Sequence, residues 1–206
     1  GNLLKGTFGP NGLDKMLYKT NGETSVTNDG AKIVAELLVK HPAAKAFVQL
    51  AESQENACGD GVTGCLIFAS ELMQESGVLL EKGLHPLILA NGYQEAMEKT
   101  IGIINNISVP VSIDDEVILE SVALTSMTGT SVEPVGEKLA KLVVKAVTQI
   151  ANQNNGAWEI DTEQVRMAKK AVGSLSDTKL ISGIIIQKKI ELESFPSKLK
   201  DGKVIV

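Results

Sequence analysis

Apolar residues recur at helical spacing through most of the first 150 positions, and beyond them the pattern changes to short runs that read as strands. Ile33, Val34, Leu37 and Leu38 form one face of a short helix after Asp29, and Ala44, Phe47, Val48 and Ala51 mark a second over 43–56. A third begins near residue 62, with Cys65, Leu66, Ala69, Leu72, Met73, Leu79 and Leu80 as its stripe and Gly83 as its stop; a fourth starts at His85-Pro86, with Leu87, Ala90, Met97, Ile101 and Ile104 on one side. Further helices are expected at about 114–124 and 134–151, the latter presenting Val135, Leu139, Leu142, Val143, Ala146 and Ile150. All these stripes are expected to be core packing. Runs at 13–20 and 23–27, joined by Asn21-Gly22, predict a hairpin with a two-residue type I′ turn. After a loop at 152–156, strands are expected at 164–172, 180–190 and 203–206, with Trp158 packed in the seam between helix and strands. The fold class is therefore mainly α with an α+β part: a helical bundle carrying one β-hairpin, then a smaller α+β unit.

Composition narrows what such a fold does. The chain has 206 residues, enough for one good core or two small domains, and with 3% aromatics its core must be aliphatic. A net charge of −5 argues against broad nucleic-acid binding, and no apolar run approaches a membrane span. Cys58 and Cys65 have no histidine or third cysteine close enough for a zinc site, so both are expected to be buried, reduced thiols, a usage that suits the cytoplasm. His41 and His85 each precede a proline at a helix start and lack an acidic partner nearby, which makes them turn residues.

The densest chemistry lies in Cys58-Gly59-Asp60-Gly61-Val62-Thr63-Gly64. Two glycines let the backbone approach a ligand, and the first turn of the helix that follows offers unpaired N–H groups to an anion. Asp60 would repel a bare phosphate, so the arrangement makes sense with a cation between them, most simply Mg²⁺ shared by a carboxylate and phosphate oxygens. Gly59, Gly61 and Gly64 also satisfy the dinucleotide pattern G-x-G-x-x-G, with Glu81 near the ribose-binding position. That reading fails because the preceding residues are patterned as a helix, not as the strand the fingerprint requires. Asp29 reads by itself as a helix cap, and Gly9-Pro10 by itself as a helix-ending turn without the Gly-Lys-Ser/Thr of a P-loop. Their interest depends on meeting Asp60 in space.

Taken together, Phe8-Gly9-Pro10-Asn11-Gly12-Leu13-Asp14-Lys15-Met16, Thr27-Asn28-Asp29-Gly30-Ala31 and Gly59-Asp60-Gly61-Val62-Thr63, in this order, closely resemble the group II chaperonins, the archaeal thermosome and the eukaryotic cytosolic chaperonin. His41-Pro42-Ala43-Ala44-Lys45, Gly92-Tyr93 and Asp177-Thr178-Lys179-Leu180-Ile181-Ser182-Gly183 extend the likeness over essentially the whole chain. The resemblance implies that residues 1–115 are the N-terminal half of an ATP-binding equatorial domain and 116–194 the N-terminal half of an intermediate domain. Residues 195–206 would then begin a substrate-binding apical domain, the chain being cut at both ends. It further implies ATP and Mg²⁺ as cofactors, other ring subunits and unfolded polypeptides as partners, and no nucleic acid or membrane.

Carried over by position, the resemblance makes Asp60 the Mg²⁺ ligand and Asp29 the catalytic residue that orients or deprotonates the attacking water. Phe8, Gly9, Pro10, Gly61, Val62, Thr63, Gly64, Thr128, Gly129 and Thr130 become nucleotide contacts. Two departures stand out: Val62 and Gly64 take positions where the family usually has threonines, and Thr130 stands where members often carry a lysine. They point to a divergent ring subunit, of the theta type, and keep open a reading in which the ATPase is weak or lost and the subunit acts structurally. A stand-alone Mg²⁺-dependent phosphohydrolase is disfavoured because no basic clamp for a small phosphorylated substrate is evident.

Overall fold

The computed structural model describes residues 1–18, 22–37, 40–186, 198, 200 and 202. Four helices and a hairpin build the first core. They are α1 (Asn2–Lys5), α2 (Gly30–Glu36), α3 (Pro42–Cys58) and α4 (Val62–Glu81), with β1 (Lys15–Tyr18) and β2 (Thr24–Thr27) inserted after α1. Leu4, Ile33, Val34, Ala51, Val62 and Leu66 are buried together, and Leu17, Phe47, Val48 and Ile67 pack around them. Ile33 and Leu66 are sealed from solvent almost completely. This core is aliphatic, as the composition requires.

Helix boundaries follow local chemistry. Asp29 caps α2, while His41 and His85 cap α3 and α5 (Pro86–Ile107) by accepting from Ala43 N and Leu87 N, each with proline in the first turn. Asp115 caps α6 (Glu116–Met127). The two histidines are thus helix caps rather than turn residues alone. A 3-10 turn at Glu133–Val135 leads into α7 (Gly136–Ile150), which packs against α6; a Cβ on Gly136 would come within 2.9 Å of Leu124 Cδ1.

Several expectations need correction. In β1–β2, Tyr18 stands opposite Thr24, one residue out of step with a two-residue turn at Asn21-Gly22, which would set it against Ser25. Register in a half-buried hairpin is fixed by the face that meets the core, and here Leu17 turns inward while Met16 and Tyr18 face solvent. Residues 20 and 21, like Leu38, lie outside the described residues. The buried line of α7 is Gly136, Ala140 and Val144 with Ala146, whereas the expected Val143 is 43% exposed: small residues let α6 approach closely. No strand forms over 164–172 or 180–186, and the stretches 187–190 and 203–206 fall outside the described residues. Among the described residues, the strands of this half are β3 (Asn152–Asn154) and β4 (Ala157–Glu159), turned by Asn155 and Gly156, both with positive φ, where a plain loop is expected. Trp158 lies on β4 opposite Gln153, 49% exposed, because no described element covers that face of a three-residue hairpin.

Two further departures concern burial. Of the stripe expected on α4 only Leu66 is buried, and Met73, Leu79 and Leu80 are exposed; α5 has no buried residue, and Leu87, Met97, Ile101 and Ile104 are all exposed, so its stripe is not core packing among the described elements. Cys58 ends α3 and is exposed, and Cys65 is half-buried; both are free thiols.

Candidate functional site

The connection between α3 and α4 is a tight reversal built on two left-handed glycines. Gly59 (φ 66°) ends α3 by donating its N–H to Glu55, and Gly61 (φ 77°) opens α4. A side chain at either position would be strained, so the glycines are what expose Asp60 between them. Asp60 accepts from Gly61 N at 2.6 Å, and its carbonyl accepts from Gln54 Nε2 at 2.9 Å. No side chain caps α4, and its first turn carries no acid. A twenty-residue helix therefore offers its uncapped amino end beside an exposed carboxylate.

Three other segments meet this reversal. Gly30, buried at the start of α2, lies against Thr63, whose Cα would be 3.0 Å from a Cβ on the glycine. Phe8 sets its ring edge on Gly64, 3.3 Å from where a Cβ would stand. Gly129 (φ 77°) backs onto Pro10, with the Pro10 carbonyl oxygen 3.2 Å from a hypothetical Cβ, and its own carbonyl accepts from Asn28 Nδ2 at 2.9 Å. Residues 8–10, 28–30, 60–64 and 128–130, widely separated in sequence, are thereby gathered at one end of α4. Phe8, Gly9, Pro10, Asp29, Asp60 and Gly61 are exposed there, and Thr63 and Gly64 are half-buried.

Asp29 does cap α2: its Oδ1 accepts from Ala31 N at 2.9 Å and Lys32 N at 3.5 Å, so both bonds fall on one oxygen. Val62 is buried in the core and presents no group to the surface. The Thr128 hydroxyl donates to Leu124 O and the Thr130 hydroxyl to Met127 O, which turns both back onto α6. A cavity of about 320 Å³ lies beside this surface, between α2 and α3, lined by Ala31, Lys32, Val48, Glu52 and Glu55; it contains none of the sequence-derived site residues.

Asp60 is the residue that could hold a divalent cation, and the α4 amino end could hold the phosphate it neutralises. No group of three His, Cys, Asp or Glu positioned for a metal occurs among the described residues. Gly30, Asn28, Gln54 and Glu133 are the participants that sequence reasoning missed. Gly30 lies inside a quoted motif, and its small size was the available signal; the reach of Asn28 across 101 positions leaves none.

The chain matches the model of the TCP-1/cpn60 chaperonin family over residues 1–206. It belongs to that family. Among similar proteins are thermosome subunit beta of Archaeoglobus fulgidus (39% identical over 203 residues), thermosome subunit beta of Sulfolobus acidocaldarius (41% over 201) and a thermosome subunit of Methanopyrus kandleri (40% over 201). Each alignment covers 98% of this chain but only 36–37% of the relative. This chaperonin chain thus spans little more than a third of the length of the curated relatives it matches. Those relatives are group II chaperonins. Among the described residues no helix is long and apolar enough to cross a membrane.

Proposed function

We propose that this chain supplies the N-terminal part of the Mg²⁺-ATP site of a group II chaperonin subunit. Nucleotide binding and hydrolysis there close a cytoplasmic double ring, built with other chaperonin subunits, over an unfolded polypeptide. The observation that carries the reading is the gathering of residues 8–10, 28–30, 60–64 and 128–130 at the uncapped, acid-free start of α4, beside an exposed Asp60. On this reading residues 1–115 form the equatorial half-domain, 116–194 the intermediate half-domain, and 195–206 the start of the apical domain.

Roles follow from what each group can do. Bound Mg²⁺ supplies charge neutralisation on the phosphates, and Asp60 holds it. The α4 backbone donors, with Gly9 and Pro10 opposite, cradle the phosphate oxygens. Asp29, one of whose oxygens is committed to the α2 cap, is fixed in orientation by that cap and directs the attacking water.

In the full-length protein Asp60→Ala should abolish Mg²⁺-dependent ATP binding in a nucleotide titration. Asp29→Ala should spare binding and slow single-turnover hydrolysis by about 10²–10⁴-fold. Parental turnover in Asp29→Ala would remove its assigned role.

A second reading, a structural subunit with a weak ATPase, draws on Val62 being buried and on the Thr128 and Thr130 hydroxyls being bound to α6. Both subtract donors from the phosphate surface. Tight Mg²⁺-ATP binding without turnover in the full-length parent would decide for it.

A further inference from the structure

The Gly129 peptide is held from three directions. Its N–H donates to Glu133 Oε2 at 2.9 Å, its carbonyl accepts from Asn28 Nδ2 at 2.9 Å, and its left-handed Cα lies against the Pro10 backbone. The Glu133 bond is local, four residues along the same turn. The Asn28 bond is the long-range member: it joins the segment between β2 and α2 to the loop that ends α6. Neighbouring hydroxyls do not share this work, because Thr128 and Thr130 both donate back to α6 carbonyls. The α6–α7 hairpin otherwise packs chiefly on itself.

We propose that Asn28 is a positioning residue that locks the 128–130 loop onto the edge of the Asp29–Asp60 surface and so makes the α6–α7 hairpin move with the occupant of that surface; this rests on the Mg²⁺-ATP reading above. Three features carry it. Asn28 precedes Asp29 directly, so a ligand that shifts the α2 cap shifts the amide with it. The bond is partly buried, where water competes poorly for the Gly129 carbonyl. The chemistry is also one-directional: Gly129 contributes a carbonyl, so position 28 must donate, and an isosteric aspartate cannot.

The test uses the full-length assembled protein with Asn28→Asp and Asn28→Ala, read by Mg²⁺-ATP affinity, single-turnover hydrolysis, and backbone hydrogen exchange over 125–133 with and without Mg²⁺-ATP. Because Asn28 acts through the 128–130 loop, both variants should lose less in affinity than in hydrolysis rate for Mg²⁺-ATP. Both should hydrolyse it about tenfold more slowly, on the order expected from one lost partly buried hydrogen bond. Both should also lose the nucleotide-dependent protection of 125–133 that the parent shows. A merely structural role would move affinity, rate and global exchange together. An effect in Asn28→Asp but not in Asn28→Ala traces to added charge and overturns the proposal, as do two variants that match a working parent. A parent that shows no response to Mg²⁺-ATP overturns the proposed function and this inference with it.

Discussion

Helices α4 and α5 follow one another, run 20 and 22 residues, and carry comparable apolar stripes, yet their fates differ. α4 buries Val62, Leu66 and Ser76 and receives α1, α2 and α3. α5 buries nothing and meets α4 chiefly through the Tyr93 hydroxyl. An apolar stripe states what a helix can bury; its neighbours decide whether it does. The candidate site sits on the helix whose neighbours are present, because only packed elements can hold distant loops in register.

The sharpest way to break this contrast is a pair of truncations in the 206-residue chain. Leu66→Ala should cost about 2–5 kcal/mol in urea unfolding, and Ile101→Ala, on the exposed face of α5, less than about 0.5 kcal/mol. Equal losses would mean that α5 is covered after all. A more local probe is Gly30→Ala, whose new methyl must push on the Thr63 backbone at 3.0 Å; overpacking of this kind costs about 1–3 kcal/mol. The full-length form of this variant should also bind Mg²⁺-ATP more weakly, since the α2 and α4 starts are spread apart. Unchanged unfolding and unchanged affinity would show that the two segments are not in contact.

These contrasts also show what could be read from residues alone. Helix existence was legible because periodicity and capping are local, and Gly59-Asp60-Gly61 was legible because a left-handed turn at a helix start leaves a residue signature. Whether stripes found partners was not: the α5 stripe and the α7 stripe look alike on paper, and only the second lies against another helix. The strand expected from residue 180 onward rests on Ile184-Ile185-Ile186, and a β-branched run favours a half-buried pleated surface only where one exists; 164–172 holds just two valines, too little to build one. At the site, motif residues 9, 10, 29 and 60 could be named in advance. The ties that assemble them, Asn28 to Gly129 and Gln54 to Asp60, depend on three-dimensional neighbours and left no pattern.

The α4–α5 junction can be sharpened with one oxygen. Tyr93 Oη lies 2.8 Å from Leu72 O and 2.7 Å from Ser76 Oγ, and Ser76 Oγ lies 2.8 Å from Leu72 O, so two hydroxyl protons serve three short contacts. Tyr93→Phe removes one proton but leaves Ser76 bonded to Leu72, and it should cost about 0.5–1.5 kcal/mol. A larger loss would mean that α5 is anchored by more than this hydroxyl.

The smallest expected effect lies at the middle of α4, where α1 is joined to it by an ion pair. Lys5 Nζ stands 2.7 Å from Glu71 Oε1, both side chains about half exposed. The hydrogen bond from Lys5, helped by its charge, holds the Glu71 carboxyl below its ordinary value. For a carboxylate depressed in the folded state, the stabilisation is complete above the unfolded-state value and is lost as pH falls through the folded one. Lys5→Met should therefore lower stability slightly at neutral pH and leave it unchanged once Glu71 is protonated in both states. The difference between parent and variant should shrink across the acidic carboxylate range and also fall with added salt, since water and ions screen an exposed pair. A parent-to-variant difference that persists unchanged at low pH would show that Lys5 acts by packing its stem on α4 instead of through its charge.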